Sequence, residues 1–242
     1  MLLVTDPWAR ALTRERNGRA WWALWLALPA SGLATFERLY AYFRWADDVV
    51  DAPGRRQAEV ALFVERQMLV VAGRTAPKTP GEHAIRAVLD GQDGVRLLAV
   101  VEEMLAALRF DTDRGPAPIP ADALLAQAAR VGGAFVNAVW ICAGEPGALP
   151  VGVDQLAEAA CLAHVIRDRE IDRALGYENR PASASGAPVD EAEWIRALTA
   201  DADARFGKGE TSLSAPMRWR TRWLLRQYAE RYRRALHEAS AR

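Results

Sequence analysis

Apolar residues recur with helical spacing along almost the whole chain, and this periodicity is the feature that most limits its fold. No stretch shows the sustained alternation of apolar and polar residues, enriched in β-branched side chains, that is typical of strands. Proline, glycine and serine separate the periodic segments, as in APKTPG, DRGPAPIP and GEPGALPVG. The pattern therefore predicts an all-α protein.

These breaks also place the helices along the chain. Ser31 is the expected N-cap of one helix, which ends before Pro53 and Gly54. Further helices are expected at 55–73, 83–109, 120–143, 153–173, 188–206 and 216–239. Because the chain has 242 residues and no repeat or long linker, we expect one domain over residues 1–242, folded as a single helical bundle.

Charge and cysteine content exclude several classes of function. Lysine plus arginine and aspartate plus glutamate number 31 each, so no global field favours nucleic acid. Cys142 and Cys161 lack metal-site spacing and lie in apolar surroundings, which indicates core residues in a reducing compartment. The stretch AWWALWLALPASGLA imitates a secretory signal, but its apolar run ends at Pro29, well short of the ~20 residues that span a bilayer. We therefore expect a cytoplasmic protein.

The segment FRWADDVVDAPG, residues 43–54, crowds three aspartates into a helical pattern. Positions i and i+4 share a helix face, so Asp47 and Asp51 are expected one above the other, with Asp48 beside them. The C-terminal end of a helix already carries partial negative charge, and the carboxylates there need a cation. Arg44 stands four residues before Asp48, so a solvated, ion-paired helix end is the alternative to a metal site.

A second acidic segment, CLAHVIRDREIDRALGYENRP, indicates another buried helix with carboxylates on one face. Asp168 and Asp172 are four residues apart, and His164 lies one turn earlier. Two such helices can hold Mg²⁺, which prefers carboxylate and phosphate oxygens, so the expected ligand is a diphosphate. The alternative is that neighbouring arginines neutralise these acids at the surface: Arg167, Arg169 and Arg173.

The two segments resemble the motifs of the squalene and phytoene synthase family, the head-to-head isoprenyl diphosphate synthases. YAYFRWADDVVD matches the family's first motif at every fixed position: Tyr40, Arg44, Asp47, Asp48 and Asp51. The second motif, normally Gln, two residues, Asn, two residues, Arg-Asp, three residues, Asp, is matched at Arg167, Asp168 and Asp172. Pro29 matches the proline that closes the family's apolar first helix, and VGG at 131–133 resembles its small-residue kink.

This resemblance implies an all-α isoprenoid synthase fold, a helical bundle around a central prenyl diphosphate cavity. In that fold Mg²⁺ ions would bridge both aspartate sets to a prenyl diphosphate. By this likeness the metal is held directly or through water by Asp47, Asp48, Asp51, Asp168 and Asp172.

The resemblance also implies roles for residues around the metal. Arg44 and Arg167 would bind diphosphate or brace the aspartates, and Arg19 and Arg16 are further basic candidates. Tyr40 would orient Arg44 or face the pocket.

Two aromatic residues complete the expected substrate site. Tyr232 resembles a tyrosine of the family's late helix that reaches the diphosphate, and a helix-packing tyrosine is the alternative. Trp21 is among the aromatic residues whose ring faces can stabilise a carbocation in a dry pocket.

The chain departs from the family pattern mainly in the second motif. Cys161 and His164 replace the usual Gln and Asn of that motif. Ala20-Trp21 replaces the usual Ser-Phe pair, and GYENRP replaces the family's Gly-Arg-Ile-Tyr-Leu-Pro. Since the Asn is normally a metal ligand, His164 is expected to bind metal poorly, to bind diphosphate when protonated, or to act as the base that removes the final proton. A core histidine bonded to a neighbouring carbonyl is the alternative.

Together these residues predict a Mg²⁺-dependent prenyltransferase that ionises an allylic prenyl diphosphate and releases diphosphate. The departures favour an aromatic small-molecule acceptor in specialised metabolism, and the alternative is head-to-head condensation with a second prenyl diphosphate. A terpene cyclase without an acceptor and a non-catalytic assembly or binding protein are further alternatives. Lipid-like substrates also predict peripheral membrane contact, for which the basic, amphipathic segment YAERYRRALHEASAR is a candidate.

Overall fold

The computed structural model describes residues 6–52, 54, 56–114, 117–182 and 186–241; the side chains of Asn17 and Arg19 are not among the described parts. Over these ranges the chain is helical and contains no strand beyond one isolated antiparallel bridge, Ala182 to Pro188. The helices are α1 (Pro7–Ala27), α2 (Ala30–Val50), α3 (Gln57–Val71), α4 (Pro80–Leu89), α5 (Gly94–Arg114), α6 (Ala121–Cys142), α7 (Gln155–Ala174), α8 (Glu191–Ser212) and α9 (Trp219–Ser240). The predicted all-α fold class is confirmed.

Two details of the helix prediction are wrong. The helix expected at 83–109 is two helices, because the chain turns between α4 and α5. At that turn a Cβ on residue 94 would lie 1.9 Å from the carbonyl oxygen of Leu89, so Gly94 is needed there. Ser31 is not the N-cap of α2: Pro29 has the extended backbone of the cap, and its carbonyl accepts the first helical N–H bond.

The described contacts divide the chain into two compact units. Unit 1 comprises Met1–Asp113, Asn137–Gly147 and Arg218–Leu224, and unit 2 comprises Arg114–Val136, Ala148–Met217 and Leu225–Arg242. Each unit is therefore described by itself, and a single domain over residues 1–242 stays a prediction.

A buried polar network holds α2, α3 and α4 together in unit 1. Tyr42 is fully buried and its hydroxyl donates to Gln67 at 3.3 Å, and Gln67 donates in turn to Glu82 at 3.2 Å. Arg66 binds the same carboxylate at 2.8 Å, and the backbone N–H of Glu82 donates to Thr79 in a capping box. Because each buried polar group has a partner, α2 is fixed in one orientation against α4.

In unit 2, α7 packs against α8 through fully buried side chains such as Leu156, Ile166 and Phe206. The approach of α6 to α7 depends on one glycine of the VGG sequence. A Cβ on Gly132 would lie 2.6 Å from backbone atoms of Ala157 and Glu158 of α7, at the start of that helix. The small residue therefore allows the two backbones to pack in direct contact.

Among the described helices, α6 alone is long and apolar enough to cross a membrane by length and composition, and half of its apolar window is buried inside the protein. The buried core helices of soluble proteins pass the same test.

Adjacent glycines of α6 give a matched test of this packing. We expect Gly132→Ala to lower the free energy of unfolding by about 1–3 kcal/mol, because the added methyl group meets the α7 backbone. Gly133→Ala should be neutral or stabilising by about 0.5–1 kcal/mol, because its Cβ would meet no atom within 4 Å and alanine favours the helix. Thermal unfolding followed by circular dichroism measures both, and an equal loss in the two variants would contradict the packing described.

Candidate active site

The three aspartates of the first motif lie at the C-terminal end of α2, in unit 1. Asp47 and Asp48 belong to the last turn, and Asp51 caps the helix with its N–H bonded to the Asp47 carbonyl at 2.9 Å. Arg44 binds Asp47 at 3.0 Å and also forms an ion pair with Asp48. Arg16 of α1 reaches Asp48 at 3.4 Å. The expected Arg44–Asp48 pair is therefore present, and Arg16 joins the same cluster.

Burial and mutual proximity make the ionised form of these carboxylates unfavourable. Burial raises the pKa of Asp47 to about 6, with Asp51 and Asp48 adding to the rise and Arg44 opposing it. Burial also raises the pKa of Asp51, followed by the charge of Asp111 on α5 and that of Asp48, while Arg44 again opposes. Sequence reasoning missed Asp111, which stands outside both motifs. A further cation would relieve the repulsion among these acids.

The expected aromatic neighbours of this cluster lie in well-packed positions. Tyr40 precedes Arg44 by one turn, and its ring stacks on Phe36 with centroids 6.4 Å apart. Trp21 is 7% exposed, and its indole N–H donates to the buried carboxylate of Glu37 at 2.8 Å. Both side chains help to pack their helices, and their contact with substrate stays a prediction.

Arg19 lies in α1, but its side chain is outside the described residues. Its expected contact with diphosphate therefore stays a prediction as well.

The carboxylates of the second motif lie on α7, in unit 2. Arg167 donates to both oxygens of Asp168, at 2.7 and 2.6 Å. Arg169 and Arg173 bind Glu191 of α8 instead, at 3.1 and 2.8 Å. Among the described ion pairs, Arg167 is therefore the arginine that pairs with an aspartate of the second motif.

Asp172 is held by a residue that sequence reasoning missed. Its Oδ2 accepts a hydrogen bond of 2.8 Å from the side-chain amide of Asn179, which is 7% exposed. The amide oxygen of Asn179 accepts another, also 2.8 Å, from Arg114, whose guanidinium lies 4.9 Å from the Tyr177 ring centroid. Asn179 and Tyr177 belong to GYENRP, the stretch that departs from the family, so this departure supplies a partner that orients Asp172.

His164 and Tyr232, two separately predicted site residues, lie against each other in unit 2. Their rings meet edge to face with centroids 4.7 Å apart, and Tyr228 lies at the same distance from Tyr232. Burial lowers the pKa of His164 to about 4, and the positive charges of Arg167 and Arg231 lower it further, against the opposing effect of Asp168. The imidazole is therefore neutral at pH 7, which disfavours diphosphate binding by a protonated His164.

The donor chemistry of the two aspartate sets fits Mg²⁺ whose other ligands are phosphate oxygens and water. Across the part of the chain that the structure describes, no three histidine, cysteine or acidic side chains form a ready-made metal site. Mg²⁺ commonly binds through one or two carboxylates while phosphate oxygens and water complete its shell. The carboxylate pairs Asp47–Asp51 and Asp168–Asp172 each offer that number of hard oxygen donors.

No protein-family model and no curated protein sequence matches this chain. Solved structures do: squalene synthase HpnC from Alicyclobacillus acidocaldarius aligns with a TM-score of 0.68 and 22% identity, over 97% of this chain and 92% of that one. A dehydrosqualene synthase in complex with ligand aligns with a TM-score of 0.71 and 18% identity, over 95% and 83% of the two chains. At these identities the likeness establishes the fold alone: the chain has the all-α fold of these two synthases.

The raised pKa of Asp47 predicts how the stability of the metal-free protein depends on pH. Folding favours protonated Asp47, so its contribution to stability is full below its ordinary pKa of 3.8 and is lost as pH rises through about 6. We therefore expect Asp47→Asn to stabilise the metal-free protein above pH ~6, with the gain fading towards pH ~4. Since 43% of the side chain is exposed and water screens its charge, the gain should be about 1 kcal/mol, or ~2–4 °C in midpoint.

The control for this measurement is Asp113→Asn, because Asp113 is 63% exposed and paired with Arg109. Thermal unfolding in EDTA across this pH range measures both variants. A destabilised Asp47→Asn protein at pH 8, or an identical gain in the control, would contradict the charge crowding described.

The hydrogen bond from Asn179 predicts a role in holding Asp172 for metal binding. We expect Asn179→Ala to weaken binding of Mn²⁺, used as a spectroscopic substitute for Mg²⁺, by about 10–100-fold in the presence of inorganic diphosphate. Gln155→Ala is the control, because Gln155 makes an amide–carboxylate bond of the same length to Glu158 at the other end of α7. Electron paramagnetic resonance measures free Mn²⁺, and equal affinities for the two variants would rule out this role.

Proposed function

We propose that this protein is a Mg²⁺-dependent prenyltransferase that ionises an allylic prenyl diphosphate and transfers the prenyl group. One observation carries the proposal: α2 and α7 each present an arginine bound to aspartate and two aspartates four residues apart, in a chain with the isoprenoid synthase fold. The solved structures of similar fold are a squalene synthase and a dehydrosqualene synthase, which supports prenyl diphosphate as the substrate class.

The reaction begins with loss of the diphosphate. The bond between the allylic carbon and oxygen breaks, the electron pair leaves with diphosphate, and the carbocation remains on the prenyl group. Bound Mg²⁺ would neutralise the negative charge that grows on the leaving group. Arg167 binds both oxygens of Asp168, and Arg44 binds Asp47 and Asp48 through separate nitrogens. Guanidinium groups also bind two phosphate oxygens at once. Carboxylates that held Mg²⁺ would leave these two arginines free to bind the diphosphate.

An aromatic acceptor is the favoured partner for the cation, and His164 supports this choice. After the aromatic carbon bonds to the prenyl carbon, the ring must lose a proton to recover its aromaticity. Neutral His164, against Tyr232, can accept that proton, because even a weak base deprotonates so acidic a cation. Head-to-head condensation with a second prenyl diphosphate is the alternative, and the names of the two solved structures favour it.

The same proposal includes a cytoplasmic location and peripheral contact with a membrane. Cys142 and Cys161 are both free, and burial raises the pKa of each thiol to about 12, which supports a structural role without redox chemistry. Long prenyl chains and hydrocarbon products partition into bilayers, which supports contact between enzyme and lipid.

Diphosphate release distinguishes the candidate reactions. We expect turnover when the purified protein, Mg²⁺ and allylic prenyl diphosphates of increasing chain length are combined with electron-rich aromatic acceptors, with products identified by mass. Turnover of one prenyl diphosphate without an acceptor into a coupled hydrocarbon would establish head-to-head synthesis, and turnover into a cyclic product would establish a cyclase. No release under any condition would contradict the proposed function and favour a binding protein.

Substitution of one aspartate in each motif tests the assignment of the site. We expect Asp47→Asn and Asp168→Asn each to lower kcat by about 10²–10³-fold, since each removes a charged donor that acts on the leaving group. Asp113→Asn is the control, because this exposed carboxylate pairs with Arg109 outside both motifs. Full activity in either motif variant would show that its motif is not used.

A further inference from the structure

Helix α1 exposes a continuous aromatic face that its packing does not use. Trp22, Trp25 and Leu26 are 56%, 51% and 54% exposed. Their spacing places them on one side of the helix, and the rings of Trp22 and Trp25 meet edge to face with centroids 5.8 Å apart. Exposed tryptophans in such a cluster are unusual on a surface that meets only water. We call these three residues and Trp219 the tryptophan face.

Trp219 extends this surface from the beginning of α9, also in unit 1. It is 69% exposed. A shallow hollow lined by Ala27, Pro29, Trp219 and Arg220 joins the end of α1 to the beginning of α9. The hollow therefore brings Trp219 close to the last turn of α1, which carries Trp25 and Leu26.

The two stretches of sequence that carry this surface contain basic residues and no acidic ones. Residues 17–36 and 211–229 contain no aspartate or glutamate, whereas the second stretch carries four arginines. Arg218 and Arg220 are exposed beside Trp219, and the Arg220 guanidinium lies 5.4 Å from the Trp219 ring centroid. Glu145 accepts hydrogen bonds from the Arg218 backbone and Thr221 but is only 3% exposed. The surface thus offers the apolar ring of Trp219 between two exposed arginines.

We propose that the tryptophan face docks the protein on the surface of an anionic phospholipid bilayer. Tryptophan has an apolar ring system and a polar N–H, which suits the boundary between lipid headgroups and acyl chains. Arginines at the same depth meet lipid phosphates, and each contributes about 1 kcal/mol near an anionic surface. A second copy of this chain fits less well, because a twofold interface here would bring the arginines of each copy against one another.

The docking surface differs from the one that the sequence suggested. The C-terminal segment YAERYRRALHEASAR directs several side chains inward: Ala229, Leu236 and Ala239 are 0%, 0% and 6% exposed. Helix packing therefore accounts for its amphipathic pattern. The tryptophan face has its large side chains in solvent, where a bilayer can bury them.

Vesicle sedimentation tests the proposal without requiring catalysis, so its outcome is separate from that of the prenyl transfer assay. We expect the wild-type protein to bind vesicles of phosphatidylcholine with phosphatidylglycerol more tightly than vesicles of phosphatidylcholine alone, with the difference shrinking as salt rises. The double variant Trp22→Gln/Trp25→Gln should lower the partition coefficient by about tenfold or more, since both rings lose lipid contact. Arg220→Gln should lower binding about fivefold on anionic vesicles only.

The matched control is Leu62→Gln/Val95→Gln, which removes two exposed apolar residues of α3 and α5, 65% and 91% exposed. This variant should bind vesicles as the wild type does. Thermal midpoints check that every variant folds. If the tryptophan variant unfolds, Arg220→Gln still tests the proposal through its binding to anionic vesicles. Absent wild-type binding, or equal binding by the tryptophan-face variants and the wild type, would overturn the proposal. So would a wild-type dimer, measured by light scattering, that the double variant dissociates.

Discussion

The end of α2 carries carboxylates that repel one another, and this repulsion is the main constraint on the candidate site. Asp47 and Asp51 are partly buried, the charge of Asp51 helps to raise the pKa of Asp47, and the charge of Asp111 on α5 helps to raise the pKa of Asp51. The helix terminus is itself partially negative, so the backbone gives these side chains no relief. A fold keeps such an arrangement when a cation compensates for it.

Arginine supplies part of the compensation without a ligand. Arg44 and Arg16 bind the first aspartate set, and Arg167 binds Asp168 in the second. A diphosphate with its metal ions would exchange these partners, since metal binds carboxylate and guanidinium binds phosphate. Under the proposed function, the same groups would stabilise the free protein and receive the substrate. Ion pairing and metal binding, which the sequence presents as alternatives, would then be compatible.

Much of the fold could be predicted from sequence, because helical periodicity and proline–glycine breaks report directly on local structure. The sequence did not predict the break between α4 and α5, because apolar spacing continues on both sides of Gly94. Glycine is required at this position because the backbone passes close to the Leu89 carbonyl, a contact that the sequence pattern does not record. In the site, the aspartates followed from spacing on a helix. Asn179 and Asp111 did not, because their roles depend on contacts between distant segments that no local pattern records. The exposure of Trp22 and Trp25 likewise depends on which face of α1 packs inward.

The proposed function requires each aspartate set to bind divalent metal in the presence of diphosphate, and thermal unfolding with ligands tests this requirement most directly. Inorganic diphosphate and Mg²⁺ added together should raise the midpoint of the wild-type protein by several degrees, as expected at ligand concentrations about 100 times the Kd, and by more than the sum of their separate effects. The rise should be lost in Asp47→Asn and in Asp168→Asn and kept in Asp113→Asn. An unchanged wild-type midpoint, or an equal rise in all four proteins, would contradict the account.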